Sequence, residues 1–257
     1  MYFLSKIKDL INIFLKREIR LIGNYNSWDH ALQFSKGYSD RVILNKTIKS
    51  VKKVISNQAK FERDSYLFYE ENFDETLLFI LKKIKKKIKR KINLCDFGGS
   101  LGSLYFQHKS IFTPSFVDWN IVEQKHYVKY ANKNIKIKNL NFYNNLNFLK
   151  KKKINVVLFS SSLQYLENPY KILEKIISKK ISNIIIHRSP FTRKHEVIKI
   201  QKVPKHIYDA SYPIRIINIK KMCNKLKNAG YKINAQYMLK EKIDGYFYET
   251  FYFEKLV

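Results

Sequence analysis

Residues 92–102 read INLCDFGGSLG: an apolar run, an acid at Asp96, then Gly98, Gly99, Ser100 and Gly102. Small residues at this density let a backbone turn tightly and pass close beneath a ligand. A triphosphate-binding loop needs Gly, four residues and then Gly-Lys-Ser/Thr, and GGSLGSLYFQ has no Lys. The dinucleotide fingerprint Gly-x-Gly-x-x-Gly fails on spacing. Glu123 closes the next β-prone run, WNIVEQ, where an acid can accept hydrogen bonds from both ribose hydroxyls of a nucleoside. The bland reading of Glu123 is a solvated strand-end residue. A third polar group follows the run INVVLFS, where Ser160 and Ser161 lead into Leu163-Gln164-Tyr165-Leu166.

These residues need elements to hold them. From residue 92, short β-prone runs alternate with helical ones: INLCDF, WNIVEQ (119–124), NLNFY (139–143), INVVLFS (154–160) and NIIIHR (183–188). The segment NPYKILEKIISKK predicts a helix capped by Asn168 with Pro169 in its first turn. IKKMCNKLKNAG predicts another, stopping at Gly230. YKINAQYML and YFYETFYFE predict a terminal hairpin across Asp244-Gly245. The pattern is that of an α/β protein with a mostly parallel sheet covered on both faces and an antiparallel edge. Residues 1–90 carry helical period throughout and read as a helical N-terminal extension or cap, with the α/β domain at 91–257. Within that extension DETLLFILKKIKKKIKRKI stripes Leu77, Leu81, Ile84 and Ile88 along one face, and Trp28 and Arg63 read as buried anchors, or as groups folded over the mouth of the site.

The acid-x-Gly-x-Ser-x-Gly form from Asp96, with Ser100 where a middle glycine is usual, resembles the S-adenosylmethionine loop of class I methyltransferases. SSSLQYLENPY resembles their segment beneath the methionine. GNYNSWDHAL, FERDSYLF, CDFGGSLGSLYF, WNIVEQ, SSSLQYLENPY and VPKHIYDASYP, in this order over residues 23–255, resemble a family of class I methyltransferases encoded with cell-surface polysaccharide genes. The resemblance implies a Rossmann-like sheet of order 3-2-1-4-5-7-6 with the last strand antiparallel, and S-adenosylmethionine as cofactor. It implies cofactor contacts from Asp96, Gly98, Gly99, Ser100, Gly102, Glu123, Ser160, Ser161 and Gln164, with Asp96 orienting the methionine amino group. A small-molecule or lipid-linked glycan acceptor, O-methylated, follows by association.

His187 at the end of the fifth strand, His206 and Tyr165 are candidate catalytic groups, since a sugar hydroxyl needs a base and a carboxylate does not. A strand-end His bonded to its own fold is the competing account of His187. His206, Tyr208, Asp209 and Tyr212 read as an acceptor-binding lid, flanked by Arg188, Arg193 and Arg215, which read either as groups to hold a phosphate or carboxylate on the acceptor or as solvated surface residues.

The formal charge of +29 first suggests nucleic acid, but only eight of the 50 basic residues are Arg, the residue suited to phosphate forks and base edges. Lys, Ile and Asn are enriched together, as base-composition drift in an AT-rich genome would produce, so a nucleic-acid partner is disfavoured. An RNA or protein methyltransferase and a non-catalytic protein on a decayed methyltransferase fold are the alternatives. Cys95 and Cys223 form no metal or disulfide pattern, which favours no metal and a reducing cytoplasm. Residues 1–20 place Phe3, Leu4, Ile7, Leu10, Ile11, Phe14 and Leu15 on one helical face, for packing on the domain or for peripheral contact with the inner membrane face. No oligomeric state is readable.

Overall fold

The computed structural model describes residues 19–37, 41–204 and 209–256. The first eighteen residues, His206 and Tyr208 lie outside them.

The centre is a parallel sheet. Strand β4 (Ile92–Phe97) pairs in parallel with β5 (Val117–Val122) and β7 (Val156–Ser160), β5 with β6 (Leu140–Tyr143), and β7 with β8 (Asn183–Thr192). The hairpin β11 (Tyr231–Ile243)–β12 (Tyr246–Lys255) joins it through β12, antiparallel to both β8 and β11. The resulting order, β6-β5-β4-β7-β8-β12-β11, is the predicted 3-2-1-4-5-7-6 with its last strand antiparallel. Asp244 and Gly245 turn the hairpin with φ of 43° and 83°, the left-handed pair a tight two-residue turn requires.

Every residue of β5 and of β8 is buried, as expected for strands covered on both faces. On one face lie α3 (Glu75–Ile88), α4 (Ser103–Gln107) and α5 (Lys125–Asn134), burying Leu77, Leu81, Ile84, Tyr105 and Ala131 against Trp119 and Ile121. On the other lie α6 (Pro169–Ser178) and α7 (Ile219–Asn228), burying Leu173, Ile176, Met222 and Leu226 against Phe159 and Ile184. Asn168 caps α6 through Lys171 N with Pro169 at its start, and Gly230 follows α7 at φ 81°, both as read from the sequence.

Two parts differ from the sequence reading. Helices α1 (Trp28–Gln33), α2 (Arg41–Ile55) and α3 do lie within residues 1–90, but so do β1 (Arg20–Tyr25) and the hairpin β2 (Phe61–Arg63)–β3 (Tyr66–Phe68). These strands are too short to print an alternation, and their partners are remote or sit across a two-residue turn. The stretch read as an acceptor lid is in large part a meander: β9 (Val197–Val203) and β10 (Ala210–Asn218) pair antiparallel, β1 adds to β9, and β10 meets β8 at Phe191 and Thr192. Strand β8 therefore serves two sheets, the parallel core with its first half and the meander with its last residues.

Candidate active site

The sequence candidates converge at the carboxyl ends of β4, β5 and β7. Asp96, next to last in β4, is almost fully buried, its Oδ2 accepting from Trp119 Nε1 at 3.0 Å. Its Oδ1 is buried and has no hydrogen-bond partner among the described residues. Burial, with the nearby Glu123 charge adding and the Trp119 bond opposing, pushes the carboxyl up to about 7. Such an orphaned acceptor costs free energy unless a ligand completes it.

The glycines make room beside it. Gly98 has φ 78° and donates its N–H to Val122 O at 2.9 Å, and a Cβ there would stand 2.6 Å from Ser162 Cβ. A Cβ at Gly99 would stand 2.3 Å from Asp96 Oδ2. Glu123 follows β5 and accepts from the backbone N–H groups of Gln124 and Ser100, so the acid and the glycine loop hold each other. Burial raises the Glu123 carboxyl above its ordinary range. Across the loop, Ser161 donates to Arg188 O at 2.8 Å, Ser162 Oγ is buried without a partner, and Ser160 pairs with His187 in the sheet. Gln164 is fully buried; its Oε1 accepts from Ser189 Oγ at 3.2 Å while its Nε2 has no partner among the described residues. Ser100, Ser161 and Arg188, all non-glycine, take left-handed φ of 54°, 48° and 49°, strain collected at the ends of β4, β7 and within β8.

The donor set therefore fits an adenosyl amino acid: a carboxylate for hydroxyls at Glu123, an unfilled carboxylate oxygen for an ammonium at Asp96, and a backbone cradle that side chains would fill. Among the described residues, no cluster of His, Cys, Asp or Glu suits a metal ion.

The catalytic candidates separate. His187 is fully buried, with Nε2 2.9 Å from Asp74 Oδ2 and Nδ1 2.9 Å from Thr250 Oγ1. Burial lowers its basicity, and the hydrogen bonds from His187 and Leu77 N hold Asp74 ionised, far below its usual range despite its own burial. Nε2 then carries the hydrogen, and Nδ1 accepts from the Thr250 hydroxyl. Tyr165 turns away to the meander, donating to Gln201 Oε1 at 2.9 Å and standing edge-on to Tyr212 at 5.3 Å. Arg215 is held by Glu196 and Glu167 O beside the Trp28 ring, and Arg193 reaches Glu249 from an exposed position. Asp209 pairs with Lys36 at the surface.

The structure adds residues the sequence did not single out. Asp74 caps α3 at Leu77 N (3.0 Å) while holding His187. Glu62, on β2 and 1% exposed, accepts from Ser103 Oγ at the end of the glycine loop and from Ser65 N at 2.9 Å, and burial pushes it up to about 7. Asp74, preceding an apolar run, carries a capping signal; Glu62 has none, since its partner is remote in the chain.

No protein-family model matches the chain, and no curated protein matches its sequence. Solved structures do resemble it in architecture. The N-terminal domain of EvdMO1, crystallised in the presence of SAH and D-fucose, aligns with TM-score 0.51 at 12% identity over 86% of this chain and 98% of that one. The 1,6-didemethyltoxoflavin-N1-methyltransferase of Burkholderia thailandensis, with bound 1,6-didemethyltoxoflavin and S-adenosylhomocysteine, aligns with TM-score 0.50 at 11% identity over 93% and 95%. Magnesium protoporphyrin IX methyltransferase of Synechocystis PCC 6803, with bound SAH, aligns with TM-score 0.51 at 13% identity over 82% and 100%. At these identities the likeness is one of architecture, and it agrees with the strand order: the chain has the Rossmann-like fold of class I methyltransferases.

Proposed function

We propose that the chain is an S-adenosylmethionine-dependent methyltransferase that O-methylates a sugar or related surface-polysaccharide precursor, small or lipid-linked, on the cytoplasmic side. The observation that carries the cofactor assignment is the orphaned, buried Oδ1 of Asp96 beside the Gly98–Gly99 cradle, with Glu123 opposite. When bound, S-adenosylmethionine supplies a methyl group on a sulfonium, electrophilic without further activation. Asp96 would hold the methionine ammonium, Glu123 the ribose hydroxyls, and Gly98, Gly99, Ser100 and Gly102 the close backbone approach. Ser160, Ser161 and Gln164 would line the floor, where Gln164 Nε2 has a hydrogen to give.

The chain's part in methyl transfer is then alignment, excluding water and holding the acceptor in line. His187 fits a positioning role in this reading: its ring ties β8 to the start of α3 and to Thr250 on β12, so proton removal would pass through the Thr250 hydroxyl. Tyr165, bonded to Gln201 of the meander, stays a candidate acceptor-side group, as does His206. The acceptor class draws support from the sequence motifs, and from one architectural neighbour crystallised in the presence of D-fucose.

Isothermal calorimetry with S-adenosylhomocysteine tests the assignment. Micromolar binding, weakened at least about tenfold by Asp96→Asn and by Glu123→Gln, is expected; a chain that binds no adenosyl ligand would be a scaffold on this fold.

A further inference from the structure

The region beside the cofactor cradle contains two arginines whose arrangement the fold alone does not explain. Strand β8 pairs Ile186 with Phe251 and Ser189 with Glu249, so His187 and Arg188 together face the single residue Thr250: a β-bulge. Arg188 stands in it at φ 49°, a conformation that costs free energy for a long side chain. The residue is 9% exposed, and its Nε is buried with no hydrogen-bond partner among the described residues. Among the described residues Nη2 alone is engaged, at 2.7 Å from Oε2 of Glu241, a carboxylate nearly half exposed at the margin of β11. The side-on edge of the guanidinium, Nε with Nη2, is the edge that takes a planar oxyanion bidentately, and it is half used.

Arg63 comes to the same place from β2. Its one hydrogen bond among the described residues goes to a neutral amide, Gln107 Oε1 on α4, at 2.8 Å. Burial first, and the positive charge of Arg188 next, push the guanidinium down to about 10. Two guanidinium groups thus lie within each other's field in a largely desolvated place, an arrangement that needs a strong reason. Both are anchored to the cofactor cradle: Arg188 O accepts from Ser161 Oγ, and Glu62, next to Arg63, accepts from Ser103 Oγ. Of the other carboxylates in the field of Arg63, Asp74 is already engaged by His187 and Leu77 N, and Asp64 stands exposed at the turn of the β2–β3 hairpin.

We propose that Arg63 and Arg188 form an oxyanion-recognition subsite for the methyl acceptor, which therefore carries a carboxylate or a phosphate. The fork of Arg188 would take the oxyanion, displacing or sharing Glu241, and Arg63 would close on it from the β2–β3 hairpin. The inference deepens the methyltransferase reading and rests on it for the word acceptor, though the anion site stands on its own geometry. It also defines a job for the bulge: without it Arg188 would alternate to the opposite face of β8 from His187.

The test uses the full chain, with and without saturating S-adenosylhomocysteine, titrated with inorganic phosphate, D-glucuronate and D-glucose. At least one anion should bind in the millimolar range or tighter while D-glucose does not; phosphate alone or glucuronate alone tells which oxyanion the site prefers. Arg63→Gln and Arg188→Gln should each weaken that anion at least about tenfold, with S-adenosylhomocysteine affinity within about twofold. Arg90→Gln, an exposed control of equal charge, should change neither. Should the Gln variants fail to fold, Arg63→Lys and Arg188→Lys decide, because they keep the charge and lose the fork; several-fold weaker anion binding is then expected. Binding of neither anion, D-glucose binding as well as they do, or variants that bind them unchanged would overturn the proposal. Failure of S-adenosylhomocysteine to bind, with the anion results intact, would remove the methyltransferase reading and leave the anion site standing.

Discussion

At the residue scale the most consequential group is Asp96. Its folded pKa, raised to about 7, lies above the ~3.9 of a free aspartate, so below neutrality the carboxyl is protonated and cannot pair with an ammonium. Affinity for S-adenosylhomocysteine should therefore rise with pH up to and through about 7 and level off above it, with a slope approaching about tenfold per unit on the acid side. Calorimetry across pH 5.5 to 8.5, in buffers of different ionisation enthalpy, would show the released proton; a flat profile would remove Asp96 from the ammonium contact. Asp96→Asn keeps an acceptor for Trp119 Nε1 but turns an amide N–H toward the ligand, and should cost about 10- to 100-fold in that affinity with the melting temperature little changed. Gly98→Ala should fail differently: its Cβ would meet Ser162 at 2.6 Å in a backbone at φ 78°, so stability and binding fall together.

At the scale of elements, the β2–β3 hairpin is pinned to the glycine loop by Glu62. This carboxyl titrates near 7 in the fold against ~4.3 in the unfolded chain. The stability it lends is complete below the unfolded value and is lost as pH rises through the folded one. Glu62→Gln keeps a carbonyl acceptor for Ser65 N, turns its amide N–H to the Ser103 hydroxyl, which can accept, and removes the titration, so the variant should gain on the natural chain between pH 4.5 and 8, by roughly 2 to 4 kcal/mol at the upper end. Denaturant melts at three pH values would read it, and parallel curves would refute it. Asp74 serves two elements at once, and Asp74→Ala should destabilise by roughly 2 to 4 kcal/mol, a lost helix cap plus a buried histidine hydrogen bond. The elements also show what a sequence can and cannot disclose. The loop from Asp96 to Gly102, Glu123, and the caps at Asn168 and Gly230 are local chemistry, and each stands where its neighbours in the chain predicted. The strands β1, β2 and β3 were hidden because runs of three to six residues leave no period of their own, whether the partner is remote, as for β1, or across a two-residue turn, as for β2 and β3. In β9 the run VIKIQKV alternates only over Ile198-Lys199-Ile200, too short a stretch to mark a strand, so the segment read as part of a lid. Nothing near Glu62 or Arg63 in the chain announces Ser103, Gln107 or Arg188; only the folded sheet brings them together.

At the scale of the whole molecule, the +29 formal charge is spread over lysines on helix faces such as that of α3, where Lys85, Lys86 and Lys87 crowd the last turn. Such a surface should retain RNA at low salt and release it steeply, by about 10- to 1,000-fold between 50 and 200 mM. S-adenosylhomocysteine affinity should barely move over that range. RNA binding that survives 200 mM salt with sequence preference would favour the nucleic-acid alternative. Among the described residues, no helix is long and apolar enough to cross a membrane.

Strand β8 belongs to the parallel core through Asn183–His187 and to the meander through Phe191–Thr192. Its amide protons at Ile184, Ile185 and Ile186 should be the last in the protein to exchange with deuterium, since releasing them means parting β7 and β12 together. Motions that admit an acceptor must then hinge beyond them, leaving the strand itself as the fixed axis about which the two halves of the pocket are read.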